Sequence, residues 1–86
     1  MIDMQKLAFF AEGNLFTGSV SEPAGRVMRY RVEPDRENEQ LTAWRWQTDR
    51  CFERAGETAR AEFRLTQQGL DELIAWLEAA WQEEAR

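Results

Sequence analysis

One stretch of the chain decides the fold: TQQGLDELIAWLEAAWQE, residues 66–83. Its apolar side chains recur at steps of three and four residues, which places them on one face of a helix. They are Leu70, Leu73, Ile74, Leu77 and Trp81. Thr66 is the predicted N-cap, because its hydroxyl can accept a hydrogen bond from the backbone N–H groups of the first turn. Gly69 is a weak helix former in that turn. The stretch is therefore predicted to be an amphipathic helix over about 66–83.

Five short runs with strand-like composition precede this helix. They cover about 7–11, 15–20, 26–33, 41–48 and 61–65. The clearest is 26–33, where Met28, Tyr30 and Val32 alternate with charged side chains, and Pro34 is predicted to end it. Gly18, inside the second run, indicates a bulge or a close approach by a neighbouring group.

Two other segments are harder to assign from the residues alone. The run 7–11 is uniformly apolar and is predicted to be a strand with little solvent exposure, followed by a hairpin turn at Gly13-Asn14. The stretch 49–60 is left open between strand, helical turn and loop.

The order of these elements predicts the fold class. Short connections favour antiparallel neighbours in sequence order, and a single amphipathic helix needs an apolar surface to cover. The prediction is an α+β fold: an antiparallel β-meander of four or five strands covered on one face by a single C-terminal helix. A chain of 86 residues is expected to form one domain, 1–86.

Composition restricts the classes of function. The net charge is −5. Acidic residues are concentrated in 66–86, which contains five carboxylates and one basic residue, Arg86. Such a chain is not expected to be a general binder of duplex DNA or of anionic membranes. One cysteine excludes an intrachain disulfide. No stretch has the length of a membrane span or the pattern of a signal peptide, so a cytoplasmic location is expected.

The residues do not indicate an active site. The chain has no histidine, so Ser19, Ser21 and Cys51 lack the commonest activating base. We therefore expect a protein that is not an enzyme, with no catalytic residue, no cofactor and no metal site. A site built from Cys51 with Asp49 and Arg50 is the enzymatic alternative.

The excess of aromatic residues suggests a different role. Trp76 lies at the border of the helix stripe, while Trp44 and Trp46 share one face of the run 41–48. Large aromatic side chains are enriched at protein interfaces. The leading hypothesis is therefore a small protein-interaction module of otherwise unknown function that self-associates, as a homodimer, with Trp76, Trp44 and Trp46 as contact residues. Which face of the run 41–48 lies under the helix is left open.

The alternative hypothesis is single-stranded nucleic-acid binding on an exposed sheet face. Guanidinium groups contact phosphates and indole rings stack on bases. The candidate contacts are Arg29, Arg31 and Arg45, together with Trp44 and Trp46. In element order alone, the chain resembles single-strand binders of the whirly and transcriptional-coactivator type, and a shared layout does not fix a function.

Overall fold

The computed structural model describes residues 2–23, 25, 27–47 and 58–83. The elements follow the order α1 (Leu7–Ala11), β1 (Phe16–Ser21), β2 (Val27–Asp35), β3 (Gln40–Trp46), β4 (Ala59–Arg64) and α2 (Gln67–Glu83). The sheet has the strand order β1-β2-β3-β4, and all neighbours are antiparallel. The predicted α+β meander with a C-terminal helix is confirmed. Residues 48–57, which include most of the stretch left open above, lie outside the described residues.

The core lies between the sheet and α2. Directly opposite residues of neighbouring strands point to the same face, so the register shows which side chains meet the helix. The sheet contributes Met28, Tyr30, Val32, Leu41 and Ala43, all fully buried. The helix contributes Leu70, Leu73, Leu77 and Ala80, which are buried in the same cluster. The helical period seen in the sequence therefore identifies the face of α2 that packs on the sheet.

The segment Leu7–Ala11 was predicted to be a strand, and this prediction is wrong: it forms the helix α1. A uniformly apolar run has no period that separates strand from helix. Gly13 has a φ of +96° and donates its N–H to the carbonyl of Phe10, so it ends a helix instead of forming a hairpin turn. Phe10 is fully buried in the core. The covering layer of the sheet therefore includes α1 as well as α2.

The strand boundaries differ from the predicted ones in two informative places. Pro34 was predicted to end its strand, but β2 continues through it to Asp35. The pairing of β1 with β2 reaches only Val32, so Pro34 has a ladder partner on one side, where proline is tolerated. Strand β4 begins at Ala59, two residues before the predicted start, and it therefore includes Arg60.

At the start of α2, the predicted N-cap at Thr66 is confirmed. The role predicted for Gly69 has to be corrected. The Thr66 hydroxyl oxygen accepts a hydrogen bond from the Gly69 N–H at 3.0 Å, as expected for an N-cap. Gly69 is not merely a weak helix former. A Cβ at this position would lie 2.0 Å from the carbonyl oxygen of Arg64, so the helix approaches the end of β4 more closely than any larger residue allows. Within the described residues, no helix is long and apolar enough to span a membrane.

Tyr30 occupies the centre of the core and is the one tyrosine of the chain. Its ring lies against Gly18, where an added Cβ would come within 2.7 Å of it, so the predicted close approach at Gly18 is confirmed. Its hydroxyl donates a hydrogen bond to the Asp3 carbonyl oxygen at 2.5 Å. Tyr30 therefore ties the N-terminal segment to the sheet.

The fold is expected to lose stability at alkaline pH when Tyr30 ionises. Burial, and next the nearby Asp3 carboxylate, raise the pKa of Tyr30 above its ordinary value of 10.0. Because the folded protein holds this proton more tightly than the unfolded chain, its contribution to stability is fully present below pH 10. That contribution is lost as the pH rises through the folded-state pKa. Tyrosinate absorbance, which reports Tyr30 alone, should therefore rise at a pH above 10, together with loss of tertiary structure.

Two observations would check this assignment. Tyr30→Phe should remove the absorbance change and weaken the alkaline loss of stability, while costing about 1 kcal/mol at neutral pH from the lost hydrogen bond. A titration of the wild-type chain with a midpoint at or below 10 in the folded state would contradict it.

Candidate functional site: the sheet face opposite the helix

The sheet register gathers a defined set of side chains on the face opposite α2. Thr17 pairs with Arg31, Arg31 pairs with Trp44, and Trp44 pairs with Arg60. These four residues form one line across all four strands, which we call the Trp44 row. It places an indole between two guanidinium groups. Neighbouring strands are about 4.8 Å apart, so the two arginine positions lie roughly 10 Å from each other.

The rows on either side of the Trp44 row differ in charge. One consists of Ser19, Arg29 and Trp46, and it contains no acidic residue. Trp46 is only 5% exposed, so its ring is not accessible to a ligand. The row on the other side consists of Glu33, Thr42 and Glu62. The acid of this part of the sheet therefore lies to one side of the Trp44 row.

Both arginines of the Trp44 row form ion pairs with the acidic row. Arg31 Nε lies 3.0 Å from Glu33 Oε2, and Arg60 Nη2 lies 2.7 Å from Glu62 Oε1. In each pair the carboxylate is two residues further along the same strand. The Arg60 side chain is 55% exposed, and its guanidinium carbon lies 5.9 Å from the centroid of the Trp44 ring. The exposed Arg60–Glu62 pair contributes little to stability, whereas the Arg31–Glu33 pair is partly buried, with the Arg31 side chain 25% exposed.

The structure separates Arg45 from the other two predicted arginines. Arg45 pairs with Tyr30 and with Ala59, so it lies on the helix face. Its guanidinium carbon is 4.4 Å from the centroid of the Trp76 ring, an arrangement typical of a cation–π contact. Its Nη1 atom is buried and has no hydrogen-bond partner. The alternation of β3 explains this placement, because Arg45 has the same parity as the core residues Leu41 and Ala43.

Trp76 is held by contacts within the chain. Besides Arg45, its ring contacts Phe63 of β4, with ring centroids 5.9 Å apart, and it is partly buried against the core cluster. Trp76 thus closes the side of the helix–sheet interface. Its contribution to a contact with a partner stays a prediction, as do those of Trp44 and Trp46.

Sequence reasoning missed Arg60, because it left the stretch 49–60 open between strand, helical turn and loop and began the last strand at 61. The signal was present in the sequence, because Ala59, Ala61 and Phe63 alternate with Arg60, Glu62 and Arg64 as expected for a strand with one apolar face. The enzymatic alternative built on Cys51, Asp49 and Arg50 lies outside the described residues. Among the residues described, no group of three or more His, Cys, Asp or Glu side chains is placed to hold a metal ion.

The two edge strands of the sheet differ in how well they are protected against pairing with another strand. At one edge β4 carries Arg60, Glu62 and Arg64, and it also contacts α2. At the other edge β1 has the sequence FTGSVS, with neither a charged residue nor a proline. Leu15, immediately before β1, is 42% exposed, and it is the one exposed large hydrophobic side chain in the described part of the chain. The edge at β1 lacks the features that usually prevent strand addition.

Comparison with family profiles, curated proteins and solved structures gave no match to this chain. The likeness to whirly and coactivator single-strand binders therefore rests on element order alone.

Proposed function

We propose that this chain is a non-enzymatic interaction module that self-associates through the edge of its sheet at β1. The observation that carries the proposal is the uncharged, proline-free sequence of this edge strand. Its backbone N–H and C=O groups on the outer side are available for antiparallel pairing with another strand. In the described residues, β1 is paired only with β2.

A second copy of the chain is the occupant that fits this edge best. In a two-fold antiparallel pairing centred on Gly18, Phe16–Val20 of one copy lie opposite the same five residues of the other, so five of the six residues of β1 pair with their own strand. Because none of the six is charged, the pairing brings no like charges together. Strand β4, at the other edge, carries three charged side chains and contacts α2, and both features protect an edge against strand addition. The half-buried Phe16 and Val20 would gain cover from the same residues of the second copy.

The test is a lysine placed in the middle of this edge. Ser19→Lys changes an exposed residue, and in the two-fold pair it brings two ammonium groups near each other. We expect the dissociation constant of the dimer, measured by sedimentation equilibrium over a range of concentrations, to rise by about tenfold or more, equivalent to about 1.4 kcal/mol. Circular dichroism should show an unchanged fold.

The matched control is Gln68→Lys, which makes the same change of charge at an exposed position of α2 and should leave the dissociation constant unchanged. A wild-type chain that remains monomeric at high micromolar concentration would refute the proposal. So would a dimer that Ser19→Lys and Gln68→Lys weaken equally.

A further inference from the structure

We infer that the N-terminal segment, residues 2–6, forms a second layer of the interface between two copies of the chain. It packs against the same segment of the other copy, on the face of the sheet that α2 covers. The inference rests on the proposed self-association through β1 and identifies a further surface that the second copy meets, above the paired strands.

Two short contacts place the N-terminal segment over the middle of β1. Gly18 is the register partner of Tyr30, and the tyrosine ring reaches across to β1 because glycine has no side chain there. An added Cβ at Gly18 would lie 2.8 Å from the Tyr30 hydroxyl oxygen. The same hydroxyl donates a hydrogen bond to the Asp3 carbonyl oxygen at 2.5 Å. Ile2 is buried in the core cluster, so the segment is held against the sheet at this point.

The symmetry of the proposed pairing brings the two N-terminal segments together. The two-fold axis passes through the centre of β1 at Gly18, where the two glycine Cα atoms lie about 5 Å apart. The Asp3 backbone of each copy lies above its own Gly18, so the two segments flank the axis at close range. An axis perpendicular to the sheet reverses the direction of any segment that runs along the sheet, and the two segments are therefore antiparallel.

The charges of the segment favour a second copy of the chain as its partner. Residues 2–6 contain one acidic and one basic residue, Asp3 and Lys6, and both side chains are exposed. In an antiparallel pair centred between Met4 and Gln5, Asp3 of each copy lies opposite Lys6 of the other. The segment is thus complementary to itself, and the dimer gains two identical ion pairs. A segment with charges of one sign would instead repel its own copy.

Aromatic and aliphatic side chains of the same edge supply the apolar part of this layer. Phe16 and Val20 lie on the helix face of β1 and are half-buried. In the pairing centred on Gly18, Phe16 of each copy lies opposite Val20 of the other. The ring of Phe9, from α1, contacts Phe16 edge-on with the centroids 6.2 Å apart, and Phe9 is also only partly buried. These side chains gain cover when the second copy adds its strand.

The experiment is a charge exchange, followed by sedimentation equilibrium at low salt. Asp3→Lys and Lys6→Glu each place like charges opposite one another twice in the dimer, and each should raise the dissociation constant by about fivefold. The double variant Asp3→Lys/Lys6→Glu restores opposite charges in exchanged positions and should return to within about twofold of the wild-type value. The hydrogen bond from Tyr30 uses the backbone carbonyl of Asp3, so circular dichroism should show an unchanged fold for all three variants.

The matched control is Glu72→Lys, which makes the same reversal of charge at an exposed position of α2, beside Arg64 of β4, and should leave the dissociation constant unchanged. If Ser19→Lys weakens the dimer while Asp3→Lys and Lys6→Glu act no more strongly than Glu72→Lys, the edge pairing stands and the second layer is refuted. A double variant that dimerises no better than the single variants also refutes it, because the charges would then not be opposite each other. A wild-type chain that remains monomeric refutes the self-association and this inference with it.

Discussion

Gly69→Ala should lower the free energy of unfolding by about 3 kcal/mol, the reverse of its effect in an ordinary helix. By helix propensity alone, alanine in place of glycine stabilises by about 1 kcal/mol. At this position, however, an added Cβ would lie 2.0 Å from the Arg64 carbonyl oxygen and 2.8 Å from the carbonyl carbon. Both are backbone atoms, so relief requires a shift of the first turn of α2 away from β4. Overpacking of this kind typically costs about 1–3 kcal/mol, occasionally more.

The measurement is urea denaturation followed by tryptophan fluorescence. Gln68→Ala is the matched control, because its neighbouring position is exposed, and it should change stability by less than about 0.5 kcal/mol. If Gly69→Ala proved more stable than wild type, the close approach of α2 to the end of β4 would be wrong. For a domain of 86 residues, a loss of 3 kcal/mol is a large share of the roughly 5–10 kcal/mol expected in total.

The parts of the fold that the sequence predicts are those with an unambiguous period. Residues 66–83 repeat at helical spacing, and 26–33 alternates at strand spacing, so α2 and β2 were found within one or two residues. The run 7–11 was assigned wrongly because five consecutive apolar residues fit either element. What decides it is the positive φ of Gly13 together with the burial of Phe10, and both depend on the folded chain.

The candidate site was predictable in part for a related reason. Adjacent strands in sequence order bring the arginines of β2 beside the tryptophans of β3, so Arg31 and Trp44 could be expected to meet. The register that sets Trp44 opposite Arg60 requires the exact start of β4, which the sequence pattern leaves open. From the sequence, Gly69 was assessed by its low helix propensity. In the structure, glycine is required there because the backbone of Arg64 lies too close for a Cβ, and no local sequence pattern reveals that contact.

The edge at β1 and the Trp44 row are compatible in one assembly. A two-fold axis perpendicular to the sheet pairs β1 with its copy and leaves both α2 helices on one side. The two Trp44 rows then lie on the opposite side, on one continuous sheet, with Thr17 of each copy nearest the shared edge. Self-association through β1 would thus place the two Trp44 rows side by side on one surface.

Trp76→Ala should lower the free energy of unfolding by about 3 kcal/mol. The substitution removes the ring that contacts Phe63 and covers Arg45, and large-to-small changes of aromatic residues cost about 3–5 kcal/mol when the side chain is fully buried. Trp76 is only partly buried, which places the expected value at the lower end. The loss also removes the cation–π contact between the Arg45 guanidinium and the Trp76 ring.

Denaturation of Trp76→Ala and of Trp76→Phe distinguishes a core residue from an interface residue. Trp76→Phe keeps an aromatic ring beside Phe63 and should cost about 1 kcal/mol, while neither variant should change the dissociation constant of the dimer once the population of folded chains is taken into account. If Trp76→Ala instead weakens association more than it lowers the stability of the monomer, Trp76 lies in the interface. Pairing at β1 would then not be the main contact between the two copies, because Trp76 packs beside β4 at the other edge of the sheet.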